Sequence, residues 1–280
     1  MKEKLLSIII PCYNSADMLP RLLQSIPVDS RIEVIVVDDH STELLDEYQD
    51  CKVRFSNKNI AFYDNLEGKK GAGSARNVGL TKATGRYVLF ADSDDYFYQD
   101  GFASLLDEID SYDKDIYFYY PDSVDEDGNQ GTRHTEYKRR LEEYYENKDR
   151  KTEVFVRCRF HVPWSKVIRR SLIVENKIQF DEVRFSNDVM FSAKCGLAAK
   201  EIDVVPRRLY CCTHREGSLV TNKDSKSMLL REEVSIRHYF YCRKHFSKED
   251  ARFFNWSLRS DLRMLKYRLS IGRSLHMGRK

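Results

Sequence analysis

The chain has 280 residues, of which 32% are charged, and a formal net charge of +3. Its mean hydropathy is −0.59, and no stretch approaches the roughly 18 consecutive apolar residues of a membrane-spanning helix. The apolar run at Leu5–Pro11 is too short for a secretory signal and lacks a cleavage site. These features argue against a membrane-spanning or secreted protein. They predict a cytosolic one, built as one large domain or one domain with an appendage.

The seven cysteines are scattered and form no C-x-x-C pair. Such a set is typical of reduced thiols that fill a core, and it argues against a disulfide framework or a structural zinc site.

Charge is also distributed unevenly. Residues 1–200 hold 29 Lys and Arg against 35 Asp and Glu, a net of −6, whereas residues 201–280 hold 18 against 9, a net of +9. The basic segment favours anionic partners, but no nucleic-acid-binding motif accompanies it, so nucleic acid is not expected.

The chain begins with a βαβ pattern. Leu5–Pro11 and Ile32–Val37 are apolar runs typical of strands buried on both faces. Between them, apolar residues at helical spacing predict a helix over 16–26, capped by Asn14 or Ser15. Parallel strands joined by a helix place their ends together, so the polar residues after both strands should share one edge of the sheet. A third strand is expected at residues 53–55 or 60–62.

A glycine-rich loop follows. Gly71 and Gly73 allow close approach of the backbone, and Ser74 is a candidate cap for a helix over 75–81. Arg76 would then lie in the first helical turn, where a cation opposes the helix dipole and an anionic partner would compensate. The loop lacks both the dinucleotide pattern G-x-G-x-x-G and the G-K-[ST] ending of a P-loop, which argues against either kind of site.

The strand Tyr87–Ala91 leads directly into a D-x-D-D sequence formed by Asp92, Asp94 and Asp95. Side chains two apart in an extended chain point the same way, so Asp92 and Asp94 can face one ligand. Adjacent carboxylates repel unless a cation lies between them, and a hard divalent ion commonly arrives with phosphate. The alternative is a solvated turn that caps the next helix.

The later elements are predicted from apolar periodicity and turn residues. They are a helix at 102–109, a strand at 116–120, an acidic hairpin at 122–130, a helix at 137–147, a helix ending near 199 and a last strand at 204–212. Asp188 falls in the first turn of the helix that ends near 199, which Ser186 or Asn187 can cap. The simplest interpretation of Asp188 is a carboxylate that complements the helix dipole.

The basic segment should form two long helical stretches between residues 225 and 269. One interpretation makes them an acceptor lid or a surface that rests against an anionic membrane at its inner face. The other makes them a helical pair that packs on the domain itself or on a second subunit, giving a homodimer. The sequence leaves both interpretations open.

Four motifs occur in order within the first 95 residues. They are Ser7–Asn14 (SIIIPCYN), Val36–Ser41 (VVDDHS), Gly73–Gly79 (GSARNVG) and Leu89–Asp95 (LFADSDD). In order and spacing they resemble the signature series of family 2 glycosyltransferases with the GT-A fold. The likeness continues more loosely to about residue 220. It implies a GT-A domain over 1–220, an α/β Rossmann-like mixed and mainly parallel sheet flanked by helices, followed by a basic helical extension over 221–280.

The resemblance also implies roles for individual positions. Those placed at the nucleotide sugar are Pro11, Tyr13, Asn14, Asp39, Arg76, Asp92, Ser93, Asp94, Trp164, Lys166 and Arg215. A Mn²⁺ or Mg²⁺ ion would be held by Asp92 and Asp94, with His214 as either a further ligand or a structural loop histidine. Trp164 and Lys166 match a family W-x-K pattern that borders a sugar, although a core tryptophan fits as well.

Asp188 matches the general base of the family's E-D pair, but Asn187 stands where the family usually has Glu. The implied activity is metal-dependent inverting transfer from a nucleotide-diphospho-sugar, with a UDP-sugar favoured, to a hydroxyl of a glycan or lipid-linked acceptor in surface polysaccharide synthesis. Such a transfer needs one carboxylate to take the acceptor proton. The Asn187 departure keeps an alternative open, an inactive nucleotide-sugar-binding module or regulatory subunit.

Overall fold

A computed structural model describes residues 4–56, 59–66, 69–111, 113–214 and 224–277. The strands in these ranges are β1 Leu6–Cys12, β2 Ile32–Asp38, β3 Ile60–Asp64, β4 Tyr87–Phe90, β5 Tyr96–Phe97, β6 Ile116–Val124, β7 Lys166–Arg169 and β8 Ile202–Thr213. The helices are α1 Leu19–Ser25, α2 Leu45–Phe55, α3 Ala72–Lys82, α4 Leu105–Ser111, α5 Thr135–Asn147, α6 Arg150–Arg159, α7 Arg170–Glu175, α8 Asn187–Ala198, α9 Ser225–His245, α10 Lys248–Phe253 and α11 Leu258–Met277. A 3₁₀ helix spans Gln99–Phe102.

All eight strands form one sheet in the order β3-β2-β1-β4-β7-β6-β8-β5. The first four in this order are parallel, β7 is antiparallel to both β4 and β6, β6 is parallel to β8, and β5 is antiparallel to β8. Six strands therefore run the same way, and β7 and β5 run against them. The predicted α/β class, with a mixed and mainly parallel sheet, is confirmed.

The centre of the sheet holds the most apolar strands. Every residue of β1 and β4 is buried, because helices cover both faces of the sheet. From β1 the chain builds β2 and β3 on one side and then crosses to place β4 on the other. The carboxyl ends of β1 and β4 thus flank a topological switch point, where open α/β sheets bind ligands.

Several boundaries differ from the sequence predictions. The third strand is Ile60–Asp64, and residues 53–55 instead end helix α2, which the sequence analysis did not predict. Helix α1 begins at Leu19 rather than residue 16, and Met18 at its N-cap makes no side-chain cap. Helix α3 begins three residues early, at Ala72. Strand β6 is longer than the predicted strand at 116–120. It continues through Asp122 to Val124, into the predicted hairpin, and pairs there with β8.

Over residues 224–277, the C-terminal segment folds as three helices rather than two. Helix α9 packs on α8, α10 packs on α6, and α11 packs on α9. A small apolar cluster of Val154, Cys158, Ala193 and Cys242 joins α6, α8 and α9. Across this seam, Arg150 donates to both carboxylate oxygens of Asp250, at 2.9 and 3.0 Å. None of the helices in the described ranges is long and apolar enough to cross a membrane.

Close packing of α6 against α8 depends on Gly196. A Cβ atom at this position would lie 2.0 Å from the carbonyl oxygen of Arg157, a backbone atom that cannot swing aside. We expect Gly196→Ala to lower the free energy of unfolding by at least about 1–3 kcal/mol, since overpacking forces backbone shifts. Urea unfolding followed by circular dichroism measures this. Lys194→Ala on the same helix is the control and should change stability by less than about 0.5 kcal/mol; equal effects of the two variants would refute the packing argument.

Candidate active site

The D-x-D-D sequence forms a tight turn at the carboxyl end of β4. The backbone N–H of Ala91 still donates to Ile9 of β1 at 3.1 Å, and the N–H of Asp95 then donates to the carbonyl of Asp92 at 3.1 Å. The chain thus reverses immediately after the strand. Asp92 and Asp94 remain partly exposed, whereas Asp95 is buried with 1% of its surface accessible.

Asp95 anchors this turn to β8. Its carboxylate accepts the hydroxyl of Tyr210 at 2.5 Å and the backbone N–H of Thr213 at 2.7 Å. Burial raises the pKa of Asp95 well above its ordinary value, and the charges of Asp94 and Asp92 raise it further. The same Tyr210 hydroxyl accepts the backbone N–H of Asp92 at 2.8 Å. Asp95 therefore faces the interior and positions its two neighbours.

Arg76 connects the turn to helix α8. The residue is buried, and its guanidinium donates to Asp92 Oδ1 at 2.5 Å and to Asn187 Oδ1 at 2.9 Å. Its Cζ lies 5.3 Å from the ring centre of Phe180. Arg76 lies in the second turn of α3 rather than the first, because the helix begins at Ala72. One buried cation thereby joins α3, the end of β4 and the start of α8.

Asp188 lies next to this junction, at the start of α8. It occupies the first turn of α8 and is partly exposed. Burial raises its pKa above the ordinary value, the charge of Arg76 opposes that rise, and the charge of Asp92 adds to it. Asp188 directly follows Asn187, to which Arg76 donates, so it lies next to the Arg76–Asp92 pair. The arrangement brings together three of the predicted site residues.

Trp164 and Lys166 are buried, with 0% and 2% of their surfaces exposed. Trp164 stacks on Tyr210 with ring centres 5.6 Å apart. The Lys166 ammonium donates to the carbonyl of Phe160 at 3.0 Å and to Ser192 Oγ at 2.8 Å. Burial lowers the pKa of Lys166 to about 7. Both side chains therefore support Tyr210 and α8 from within the core.

The end of β1 is bound to the loop after β2 by Asn14. Its side-chain oxygen accepts the backbone N–H groups of Thr42 and Glu43 at 2.8 and 3.2 Å. Asn14 does not cap α1, as the sequence suggested, but closes the loop across the sheet edge. Tyr13 beside it is 44% exposed, with the Lys70 ammonium 3.9 Å from its ring centre. Pro11 is buried inside β1.

Asp39 ties the end of β2 to the glycine-rich loop. Its Oδ1 accepts the amide of Asn65 at 2.8 Å and its Oδ2 accepts the backbone N–H of Gly71 at 2.7 Å. Gly71 has a φ of 147°, in a region that other residues rarely adopt. Ser93, in the β4 turn, shares a 2.6 Å hydrogen bond with Ser15. Four sequence motifs therefore meet at one edge of the sheet.

Two arginines at this edge were missed by the sequence analysis. Arg21 of α1 donates to the backbone carbonyl of Asp94 and to Thr213 Oγ1 at 2.8 Å. Arg133 is partly exposed, lies within electrostatic range of Asp92 and Asp95, and places its Cζ 6.0 Å from the Trp164 ring centre. Neither arginine belongs to a recognisable motif, so no pattern in the sequence could have identified them.

Comparison with known proteins identifies the family. Residues 7–175 match Glycosyl transferase family 2, a span of more than half of the chain. The chain belongs to glycosyl transferase family 2. Staphylococcus aureus TarS, a poly(ribitol-phosphate) beta-N-acetylglucosaminyltransferase, is 30% identical over an alignment of 218 residues that covers 75% of this chain and 36% of TarS. The chain therefore spans about a third of that relative.

Two solved structures share the fold of this chain. A structure of S. aureus TarS in complex with UDP-GlcNAc covers 92% of this chain and 77% of its own, with a TM-score of 0.64 and 23% identity. The mannosyltransferase PcManGT from Pyrobaculum calidifontis, in complex with GDP-Man and Mn²⁺, covers 99% of this chain and 80% of its own, with a TM-score of 0.60 and 15% identity. These likenesses confirm the predicted GT-A architecture of this family 2 chain.

The remaining predicted residues are His214 and Arg215, of which His214 is a candidate metal ligand. His214 is exposed and follows Thr213, the residue whose N–H binds Asp95. Arg215 lies outside the described residues. Within the described part of the chain, no three His, Cys, Asp or Glu side chains are grouped closely enough to hold a metal ion. Asp92 and Asp94 nevertheless fit a Mg²⁺-like ion, which typically binds one or two carboxylates together with the phosphates of a substrate.

The depressed pKa of Lys166 predicts a pH-dependent stability. Its folded pKa is about 7 against an ordinary 10.5, so between these values the unfolded chain carries a proton that the folded chain has released. The free energy of unfolding should therefore rise with pH across this window. Relative to that of Lys166→Met, the free energy of unfolding of the wild type should rise by on the order of 2 kcal/mol between about pH 7 and pH 9. Urea unfolding of both proteins at each pH measures this, and parallel pH profiles would contradict it.

Proposed function

We propose that this chain is an inverting glycosyltransferase that transfers a sugar from a UDP-sugar to a hydroxyl of a surface polymer. The observation that carries the proposal is the Arg76 bridge, which holds Asp92 of the β4 turn beside the start of α8. Since Asp188 directly follows Asn187, the bridge supports the proposal that Asp92 acts on the donor side and Asp188 as the base at one edge of the sheet. An inverting transfer needs a donor site and one base, placed so that the base can take the proton of the acceptor hydroxyl as that oxygen attacks the anomeric carbon.

The nucleotide would bind over the ends of β1 and β2. Tyr13 is exposed there and offers an aromatic face, while Asn14 and Asp39 close the loops on either side. Pro11 would act from within β1 by fixing the path of the chain. The UDP-GlcNAc complex of TarS, which has the same fold, supports a uridine nucleotide here. Fixed loops favour binding because less conformational entropy is lost when the ligand arrives.

The diphosphate would lie over the β4 turn, near Asp92, Ser93 and Asp94. A Mn²⁺ or Mg²⁺ ion, when bound there, offsets the charge that builds on the leaving diphosphate. Asp92 and Asp94 would hold the ion, with His214 as a further ligand, and the Mn²⁺ complex of PcManGT supports this type of ion. Arg133, which lies within electrostatic range of Asp92 and Asp95, adds positive charge to the same edge. Arg215 is proposed here from the family resemblance alone.

Asp188 would take the proton from the acceptor hydroxyl as its oxygen attacks the anomeric carbon. The bond from that carbon to the diphosphate oxygen breaks on the opposite face, so the configuration inverts and the nucleoside diphosphate leaves. Burial raises the pKa of Asp188, which makes its carboxylate a better proton acceptor. The raised pKa also moves the acidic limit of activity above the ordinary range of an aspartate.

Trp164 and Lys166 would support this chemistry from below. Trp164 stacks on Tyr210, whose hydroxyl fixes both Asp92 and Asp95, and Lys166 binds Ser192 one helical turn beyond Asp188. We therefore propose that both act as positioning residues rather than as direct contacts of the sugar. A well-ordered supporting layer matters because small displacements of reacting groups cost large factors in rate.

The acceptor is inferred from relatives. TarS is named for transfer to poly(ribitol-phosphate), and the Rhizobium meliloti succinoglycan biosynthesis protein ExoO is 28% identical over 82% of this chain and 68% of its own length. Both names refer to polymers that carry many hydroxyl groups. We therefore propose a surface polymer as the acceptor of this chain.

The proposal predicts the effect of Asp188→Asn. Removing the base should lower kcat by about 10²–10⁴-fold, because general-base catalysis contributes a factor of this size. The dissociation constant for UDP-GlcNAc should change by less than about threefold, since the carboxylate acts on the acceptor. Hydrolysis and transfer with UDP-GlcNAc and Mn²⁺ measure the first quantity, and calorimetric titration measures the second. Asp64→Asn, an exposed carboxylate at the end of β3, is the matched control and should keep full activity.

A nucleotide-sugar-binding subunit without turnover is the second candidate. Asn187 favours it, because a neutral amide that accepts from Arg76 stands where an acid is usual in the family. The same titration and turnover measurements separate the two functions. Tight binding of UDP-GlcNAc with no turnover by either wild type or Asp188→Asn would support the binding subunit and refute the transferase.

A further inference from the structure

Where the side chains of helix α11 are described, their contacts with the rest of the protein lie on one face of the helix. Its Ile271 is buried with 4% of its surface exposed. Near its start, the Asp261 carboxylate accepts the hydroxyl of Tyr239 at 2.6 Å and pairs with Arg243 at 3.2 Å. Both partners belong to α9. These contacts fix how α11 is rotated about its own axis.

The opposite face of α11 carries a row of exposed leucines. Leu262, Leu265 and Leu269 are 54%, 46% and 60% exposed. At 3.6 residues per turn, these three side chains fall within about 60° of one another, and Ile271 lies about 180° from Leu262. Large apolar side chains that line up on an outward face indicate an interaction surface, whereas single exposed leucines need no explanation. We call Leu262, Leu265 and Leu269 the leucine row.

Basic residues border the leucine row. Arg259, Arg263, Lys266 and Arg268 are all exposed. On the helical wheel Arg259, Lys266 and Arg263 lie beside the row on one side, and Arg268 lies on the other. The one acidic residue of α11, Asp261, is paired with Arg243 and does not offset them. The outward surface is therefore apolar along its centre and positive along its edges.

This charge pattern decides between two occupants. The leucine spacing of three and four residues would also suit a helix pair formed with a second copy of the chain. In such a pair, however, the positions flanking the apolar seam would bring Arg259, Lys266 and Arg268 against other cations, and like charges there destabilise the pair. An anionic lipid surface instead offers apolar depth for the leucines and negative charge for the rim.

We propose that α11 docks the protein on an anionic phospholipid bilayer, lying in the plane of the interface with the leucine row inserted among the headgroups. The helix lies on the membrane and does not cross it, in keeping with its mixed composition. The leucine row and its basic border include none of the residues of the candidate site at the end of β4, so the inference stands whether or not the chain transfers sugars.

Vesicle sedimentation with the full 280-residue chain tests the proposal. We expect binding to phosphatidylglycerol-containing vesicles to be at least about tenfold tighter than binding to pure phosphatidylcholine vesicles, and to weaken at high salt. Replacing Leu262, Leu265 and Leu269 together by Ser should weaken binding to the anionic vesicles by about tenfold or more. Replacing Arg259, Arg263 and Lys266 by Gln should remove the preference for anionic lipid.

The matched control replaces three exposed apolar residues elsewhere, Val53, Leu66 and Val174, by Ser. These are 75%, 80% and 57% exposed, and the control should bind vesicles like the wild type. Circular dichroism checks that every variant keeps its helices, and light scattering measures mass. Equal binding of the leucine variant and the wild type would overturn the proposal. If the wild type is a dimer, the leucine variant is a monomer and neither binds vesicles, the surface belongs to a second copy of the chain and the proposal is also overturned.

Discussion

The structure of the site depends on one buried cation held between a carboxylate and an amide. Asp92 and Asp94 leave the end of β4 close together, and Asp95 is driven inward beneath them. Without a nearby positive charge, burying such a turn would be strongly unfavourable. Arg76 supplies that charge to Asp92, and because it also binds Asn187 it fixes the start of α8 relative to the sheet. Asn187 is neutral, so among the described residues the carboxylate to which Arg76 donates a hydrogen bond is that of Asp92.

A second layer holds this arrangement from below. Tyr210 joins the backbone of Asp92 to the carboxylate of Asp95 and is itself covered by Trp164. Lys166 stabilises the neighbouring helix through Ser192, at the cost of a buried ammonium whose pKa is depressed. Buried polar groups of this kind are tolerated only when their hydrogen bonds are satisfied, and they then impose one arrangement of the core. The site is therefore rigid on its protein side, which suits a reaction that depends on the placement of a donor and an acceptor.

The sequence predicted the sheet and the position of the site because these follow from local pattern. Apolar strands such as Tyr87–Phe90, followed by polar turns, indicate strand ends directly, and parallel connections bring the ends together. Roles set by distant contacts could not be predicted. Asn14 was expected to cap a helix but closes a loop 28 residues away, and Arg133 reaches the site from a segment without any motif. The start of α3 was misplaced because Ser74 looked like a cap, whereas its hydroxyl donates to Asn65. Long-range hydrogen bonds thus override local capping signals.

We propose that the edge formed by β1, β2 and β4 binds a nucleoside-diphosphate sugar whose sugar faces Asp188. A crystal structure of the protein with UDP-GlcNAc and Mn²⁺ tests it most directly. We expect the uracil ring to lie over the ends of β1 and β2 and the diphosphate to be linked through the ion to Asp92 or Asp94. The anomeric carbon should lie on the side of Asp188. A nucleotide bound away from this edge, or a sugar directed away from Asp188, would contradict the account.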